Sequence, residues 1–175
     1  MPTPIGHALA GIAAGWTIAR PSARGRPLVV QTIALAVLAA APDLDLLVGR
    51  HSAQSHSLGA AAIAATIAAA VRLPIAGSRS RIWWAAFAAW ATHPLLDALA
   101  IDTSPPIGVM ALWPVSSAYM QTGVSLFAPI SRAYFAPDFI ARTTLAVARE
   151  LAITVPMAYA AWRLRSTSRL SPAAR

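Results

Sequence analysis

The sequence predicts an all-α fold: a polytopic membrane helical bundle with about five apolar helices. Three observations lead there. Only 11% of the 175 residues are charged and 57% are hydrophobic, against about 25% charged in an ordinary soluble domain. Five apolar stretches follow one another along the chain, a density that few soluble proteins of this length carry. The basic residues are all Arg, and they gather between those stretches.

The first stretch runs from about Pro4 to Ala19 and stops at Arg20, Pro21, Arg24, Arg26 and Pro27. The second covers Leu28 to Val48 and carries Asp43 and Asp45 near its end. The third covers Leu58 to Ala76 and includes Arg72; the fourth covers Ile82 to Ile101, with His93 and Asp97 inside it. The fifth runs from about Thr143 to Trp162, with Arg149 and Glu150 adjacent and a kink predicted at Pro156. Residues 1–165 thus read as one integral membrane domain, with a connection over about 102–142 rich in Pro and aromatic residues, and 166–175 as a polar Arg-containing tail. Trp113, Tyr119 and Phe127 suit that connection to the membrane interface or to a re-entrant lid, since an aromatic ring tolerates one apolar and one wet side.

Charge gives an independent test of topology. If all five stretches cross, one face receives ten Arg (20, 24, 26, 72, 79, 81, 163, 165, 169 and 175), and the other receives Arg50, Arg132, Arg142 and Arg149. Ten against four is the bias expected when the ten face the cytoplasm. That sorting accounts for the net charge of +8 without nucleic acid as a partner. Met1 to Ile18 has no Lys or Arg ahead of its apolar run, so a cleavable signal is not expected. With no Cys in the chain, disulfides and thiolate ligands are excluded, and a metal must be held by nitrogen and oxygen.

In this topology every His and every Asp falls on or toward the non-cytoplasmic side. His93 and Asp97, four apart in Thr92-His93-Pro94-Leu95-Leu96-Asp97, share one helical face and can reach one cation. The plain alternative is a His–Asp hydrogen bond, but ionisable groups inside a membrane are costly and usually functional. Asp43 and Asp45 close a helix at the end where its dipole disfavours negative charge, a conflict that a cation relieves; a solvated helix terminus is the alternative. His51 and His56 stand in a Ser-containing loop that equally suits a helix cap. His7 alone reads as a hydrogen-bonded packing residue. Together, imidazole and carboxylate without thiolate suit zinc, manganese or iron, with zinc favoured in hydrolytic sites.

Thr3-Pro4-Ile5-Gly6-His7, Pro42-Asp43-Leu44-Asp45, His51 to Ser57, Thr92 to Asp97 and Gly108 to Ser116 resemble, in order and spacing, the YdjM-like family of membrane-bound metal-dependent hydrolases. Where that family's loop reads like His-Arg-Gly-x-Thr-His-Ser, this chain has Ser52 and Ala53 for the Arg and Gly. The family in turn resembles, distantly, the all-helical zinc-dependent phospholipases C. That likeness implies His7, Asp43, His56, His93 and Asp97 as metal ligands. Asp45 and His51 would then be supporting or acid/base groups. No His follows His93, so one or two ions rather than three are expected. The resemblance implies an enzyme of the bacterial inner membrane that acts among membrane lipids. It would cleave a phosphoester or lipid-linked substrate at the non-cytoplasmic face. Glu150 is expected to pair with Arg149. A non-catalytic protein whose cluster ties helices together is the second reading, and a proton or ion transporter the third.

Overall fold

The computed structural model describes residues 2–19, 25–48, 52–102, 105–129 and 135–167, and in these the chain is helical with two isolated β-bridges and no strand. Helix α1 (Pro4–Ile18) starts at Thr3, whose hydroxyl caps the Gly6 amide at 3.4 Å, with Pro4 in the first turn where no amide partner is needed. Helix α2 (Arg26–Ala40) runs on as a 3-10 helix over Ala41–Val48. A second 3-10 turn (Gln54–His56) leads into α3 (Leu58–Ala70), capped by Ser57, whose hydroxyl accepts from the Ala60 amide at 3.0 Å. Helix α4 covers Arg79–Ala98 and α5 covers Phe139–Thr167.

The five helices fall on the five apolar stretches, with two differences: the second stretch ends as a 3-10 helix over Ala41–Val48, and the third ends early. Helix α3 stops at Ala70, and Arg72 takes a left-handed conformation (φ 54°) where the chain turns away before Ala76. At 1.5 Å per residue the 13 residues of α3 and the 15 of α1 reach only about 20 Å and 23 Å, short of the roughly 30 Å hydrocarbon core. Among the described residues one segment is both long and apolar enough to cross a membrane, Arg26–Leu47.

Helix α1 is the centre of the bundle and packs on α2, α4 and α5. It can do so because its inward positions are Gly6, His7, Ala10, Gly11, Ala13 and Gly15. A Cβ on Gly11 would lie 2.2 Å from the Ala39 methyl, and one on Gly15 would lie 2.4 Å from Leu35. Small residues therefore set the α1–α2 separation, as they do where helices pack without a solvent-driven hydrophobic effect. Leu35 is buried at that crossing among Ala65, Ala68, Ala85, Ala86 and Ala89. The large apolar side chains point outward instead: Val29, Ile33 and Val37 make an exposed stripe on α2, and Ile63 and Ile67 another on α3.

The connection before α5 folds over the start of α3. The Leu58 amide donates to the Ala111 carbonyl at 2.9 Å, and the Gly59 amide to the Trp113 carbonyl at 3.1 Å. The chain alternates direction, so the N-terminal ends of α1 and α3 and the C-terminal ends of α2 and α4 meet at one end of the bundle. Gly11→Leu is expected to lower stability by about 1–3 kcal/mol through overpacking against Ala39. Thermal unfolding of the detergent-purified protein checks this; an unchanged midpoint would refute close α1–α2 contact.

Candidate metal centre

His7, Asp43, Asp45, His56, His93 and Asp97 come from four separate segments and converge at that end. His51, predicted with them, lies outside the described residues. Asp43 and Asp45 sit on the 3-10 extension, at about three residues per turn, so side chains two apart point in different directions. Asp43 Oδ1 lies 3.5 Å from His93 Nε2 and 3.9 Å from His56 Nε2, whereas Asp45 Oδ2 lies 3.1 Å from the far nitrogen of His56, Nδ1. Asp97 Oδ2 is 3.3 Å from His93 Nε2 and 3.5 Å from His56 Nε2, and its other oxygen is 3.4 Å from His7 Nε2. The His7 and His93 rings stack at 3.7 Å.

Hydrogen-bond chemistry orients both central imidazoles. His93 Nδ1 faces the Ala39 carbonyl at 2.7 Å, and a carbonyl only accepts, so a hydrogen sits on Nδ1 and in the neutral ring Nε2 keeps its lone pair. That carbonyl is free because a 3-10 turn pairs a carbonyl with the amide three residues on, and three on from Ala39 is Pro42. His56 Nδ1 faces the Asp45 carboxylate, with the Ser55 hydroxyl beside it at 3.1 Å and itself donating to Asp45 at 2.6 Å. Its Nε2 therefore also presents a lone pair. The two Nε2 atoms stand 3.0 Å apart and need a positive species between them, a proton or a metal ion. Burial pushes the His56 pKa down, but its carboxylate neighbours Asp43 and Asp45 outweigh that and raise it above the ordinary histidine value.

Burial sharpens the requirement. His7, His56 and His93 are fully buried and Asp97 is 2% exposed. Both oxygens of Asp97 and both nitrogens of His7 lack a hydrogen-bond partner among the described residues. A buried carboxylate without a donor is expensive, and coordination to a cation removes the expense. His56, His93 and Asp97 form one group of ligand atoms, and His7, Asp43 and His93 another, all atoms in each group within 4.8 Å of one another. Ligands held at about 2.0–2.2 Å from one zinc-sized ion are spaced on this scale. The residues present can hold a metal ion.

Several contributors carried no clear sequence signal. Ser55 is one; Trp90, whose indole donates to the Ser55 carbonyl at 3.0 Å, is another. Trp90 stands three residues before His93, on the same face of α4, and that spacing was the available clue. Glu150 differs from expectation. It is 2% exposed and accepts from the Thr3 amide at 2.8 Å and the Thr3 hydroxyl at 2.5 Å, while Arg149 donates to the Ser125 carbonyl at 2.6 Å. A Cβ on Gly6 would lie 2.1 Å from Glu150 Oε1, so glycine there lets α5 clasp the start of α1, one residue from His7.

Fold and cluster together define an all-helical protein with a buried nitrogen–oxygen site able to hold a metal ion. The family model described as YdjM inner membrane protein matches residues 1–170, and the chain belongs to that family. It is therefore a protein of an inner-membrane family, in keeping with the exposed apolar side chains and with a segment, Arg26–Leu47, long and apolar enough to cross a membrane. No curated protein and no solved structure matches it, and the phospholipase C likeness is carried by no comparison.

Glu150→Ala removes the acceptor of two half-buried Thr3 donors and is expected to cost about 1–2 kcal/mol. A thermal midpoint equal to wild type would show that the Thr3–Glu150 clasp does not hold α1.

Proposed function

We propose that the chain is a membrane-bound metal-dependent hydrolase that cleaves a phosphoester or lipid-linked substrate at the non-cytoplasmic membrane face. The observation that carries this reading is the pair of Nε2 atoms, 3.0 Å apart and beside the Asp97 carboxylate, whose oxygens accept no hydrogen bond among the described residues. Structural polar clusters satisfy themselves; this one is arranged to receive a cation.

His7, Asp43, His56, His93 and Asp97 would hold it. His93 Nδ1 is committed to Ala39, so only its Nε2 can ligate, and one lone pair serves one ion. The two ligand groups share His93 and thus describe one centre rather than two. A divalent ion there, zinc before manganese or iron, supplies a Lewis acid that polarises a phosphoryl oxygen and acidifies a water. Asp45 and Ser55 hold His56 in the tautomer that ligates, so Asp45 is a positioning residue. Asp43 is the most open of the ligands, its side chain 19% exposed, and stands where substrate and water would arrive. In the hydrolysis the water oxygen forms a new P–O bond, the ester P–O bond breaks, and the leaving oxygen takes a proton.

The topology that goes with this reading has all five helices crossing. Helices α4 and α5, with 20 and 29 residues, are long enough at 1.5 Å per residue. The shorter α1 and α3 would be accommodated by local thinning of the bilayer. The ten-to-four Arg sorting supports it.

Two measurements test the proposal. In metal analysis of the purified protein, His93→Ala and Asp97→Ala are expected to lose the ion. Asp45→Asn should keep the stoichiometry but bind about 10–100-fold more weakly. Full phosphodiesterase activity in excess chelator would sink catalysis by metal, and metal without turnover of any phosphoester would favour a structural ion. For topology, the absence of Cys makes single labels unambiguous. Ala118→Cys should react with an impermeant maleimide in intact spheroplasts, and Ser80→Cys only after permeabilisation; the reverse pattern would invert the arrangement.

A further inference from the structure

A groove of about 470 Å³ runs along α3, walled by Leu38, Leu73 and Trp90 and ending at Gln54 and Ser55. Its floor is made by Ala60, Ala64 and Ala68, spaced four apart and so stacked on one helical face. Methyl groups at all three positions leave a trough where larger side chains would fill it. The eight helical rises from Ala60 to Ala68 make it about 12 Å long. The lining carries no charged residue, and a cavity walled by apolar groups stays dry and takes hydrocarbon. Its volume is about three times the roughly 150 Å³ that accepts a benzene ring, room for a single hydrocarbon chain.

Two features tie this groove to the metal centre. Ser55 belongs to both: it lines the groove, and its hydroxyl contacts Asp45 and His56 Nδ1. Trp90 and Trp113 also line it, and the Trp90 indole donates to the Ser55 carbonyl, which puts a ring with one apolar and one polar side in the wall nearest Ser55. The opposite rim carries Ile63 and Ile67, 54% and 58% exposed, on the apolar exterior of an inner-membrane protein. The groove thus opens to the apolar exterior on one side and ends at Ser55, which touches Asp45 and the Nδ1 side of His56.

We propose that this groove is the chain-binding subsite and that the substrate class is a single-chain amphiphile with a phosphoryl head. The hydrocarbon would lie along Ala60, Ala64 and Ala68, with the head beyond Ser55 at the His56–His93–Asp97 centre. The assignment of the head rests on the hydrolase reading above; the assignment of the chain rests on the groove.

The experiment uses full-length protein in phosphatidylcholine nanodiscs, with a bromododecyl phosphate as heavy-atom quencher. Trp90 emission is taken as the difference between wild type and Trp90→Phe. Saturable quenching of Trp90 is expected, weakened ten-fold or more by Ala64→Phe, which fills the trough, and by the smaller Ala64→Leu, a safeguard against misfolding. Metal content reports the integrity of each variant. In parallel, kcat/KM is compared for p-nitrophenyl dodecyl and methyl phosphodiesters, and the dodecyl-to-methyl ratio should fall about ten-fold in both variants. Quenching that ignores both substitutions, or equal quenching by bromododecane, would overturn the proposal, because the groove would then hold bulk lipid or nothing. Saturable, substitution-sensitive quenching without turnover of either ester would leave the subsite standing and remove the hydrolase reading.

Discussion

Two imidazole nitrogens, His56 Nε2 and His93 Nε2, face each other 3.0 Å apart in a fully buried space, and their other nitrogens are already spoken for. Like lone pairs at that distance repel unless something positive lies between them. A proton held between the two rings would serve, and the carboxylates of Asp43 and Asp45 favour it by raising the His56 pKa. A metal ion would displace that proton, so loading the site and deprotonating it are one event. The convergence of α2, α4 and the 3-10 turn at Gln54–His56 brings these nitrogens together, so the architecture at this end of the bundle is also the architecture of the cluster.

That convergence depends on residues with almost no side chain. Gly11 and Gly15 let α1 lie against α2, and Gly6 lets Glu150 reach Thr3. The result is that His7, on α1, stacks on His93, on α4, without intervening bulk. A larger residue at any of these three glycines would push α1 outward and take His7 with it. Packing and site geometry are thus set by the same few positions, and the alanine-rich core around Leu35 belongs to the same economy of volume.

Much of this was legible in the sequence, and what was missed has identifiable causes. The apolar runs located the helices because apolar length is a local property. The four-residue spacing of His93 and Asp97 placed them on one face because α-helical periodicity is also local. The end of α3 at Ala70 was not legible, since Val71, Leu73 and Ile75 continue the apolar run while the backbone turns at Arg72. The separate directions of Asp43 and Asp45 depend on a switch to 3-10 geometry, for which Pro42 was the one visible sign. Glu150 was expected to pair with its neighbour Arg149, but adjacent residues on a helix do not face each other. Its partner Thr3 is 147 residues away, a tertiary fact that no local pattern contains.

Access to the cluster follows from its burial. His7, His56, His93 and Asp97 are closed off, while the Asp43 side chain keeps 19% of its surface. The loop through Ala111 and Trp113 is pinned to the first residues of α3, beside Ser57 and His56, so it limits approach from that side. A substrate arriving from water would come over Asp43, and one arriving from lipid would come past Trp90 and Ser55. The second path keeps a hydrocarbon chain in apolar surroundings throughout, while a charged head on it would have to shed water before reaching the ligands. Gln54 and Ser55 are the first polar groups such a head would meet, and only coordination to a cation held by the His/Asp cluster could offset the solvation it gives up.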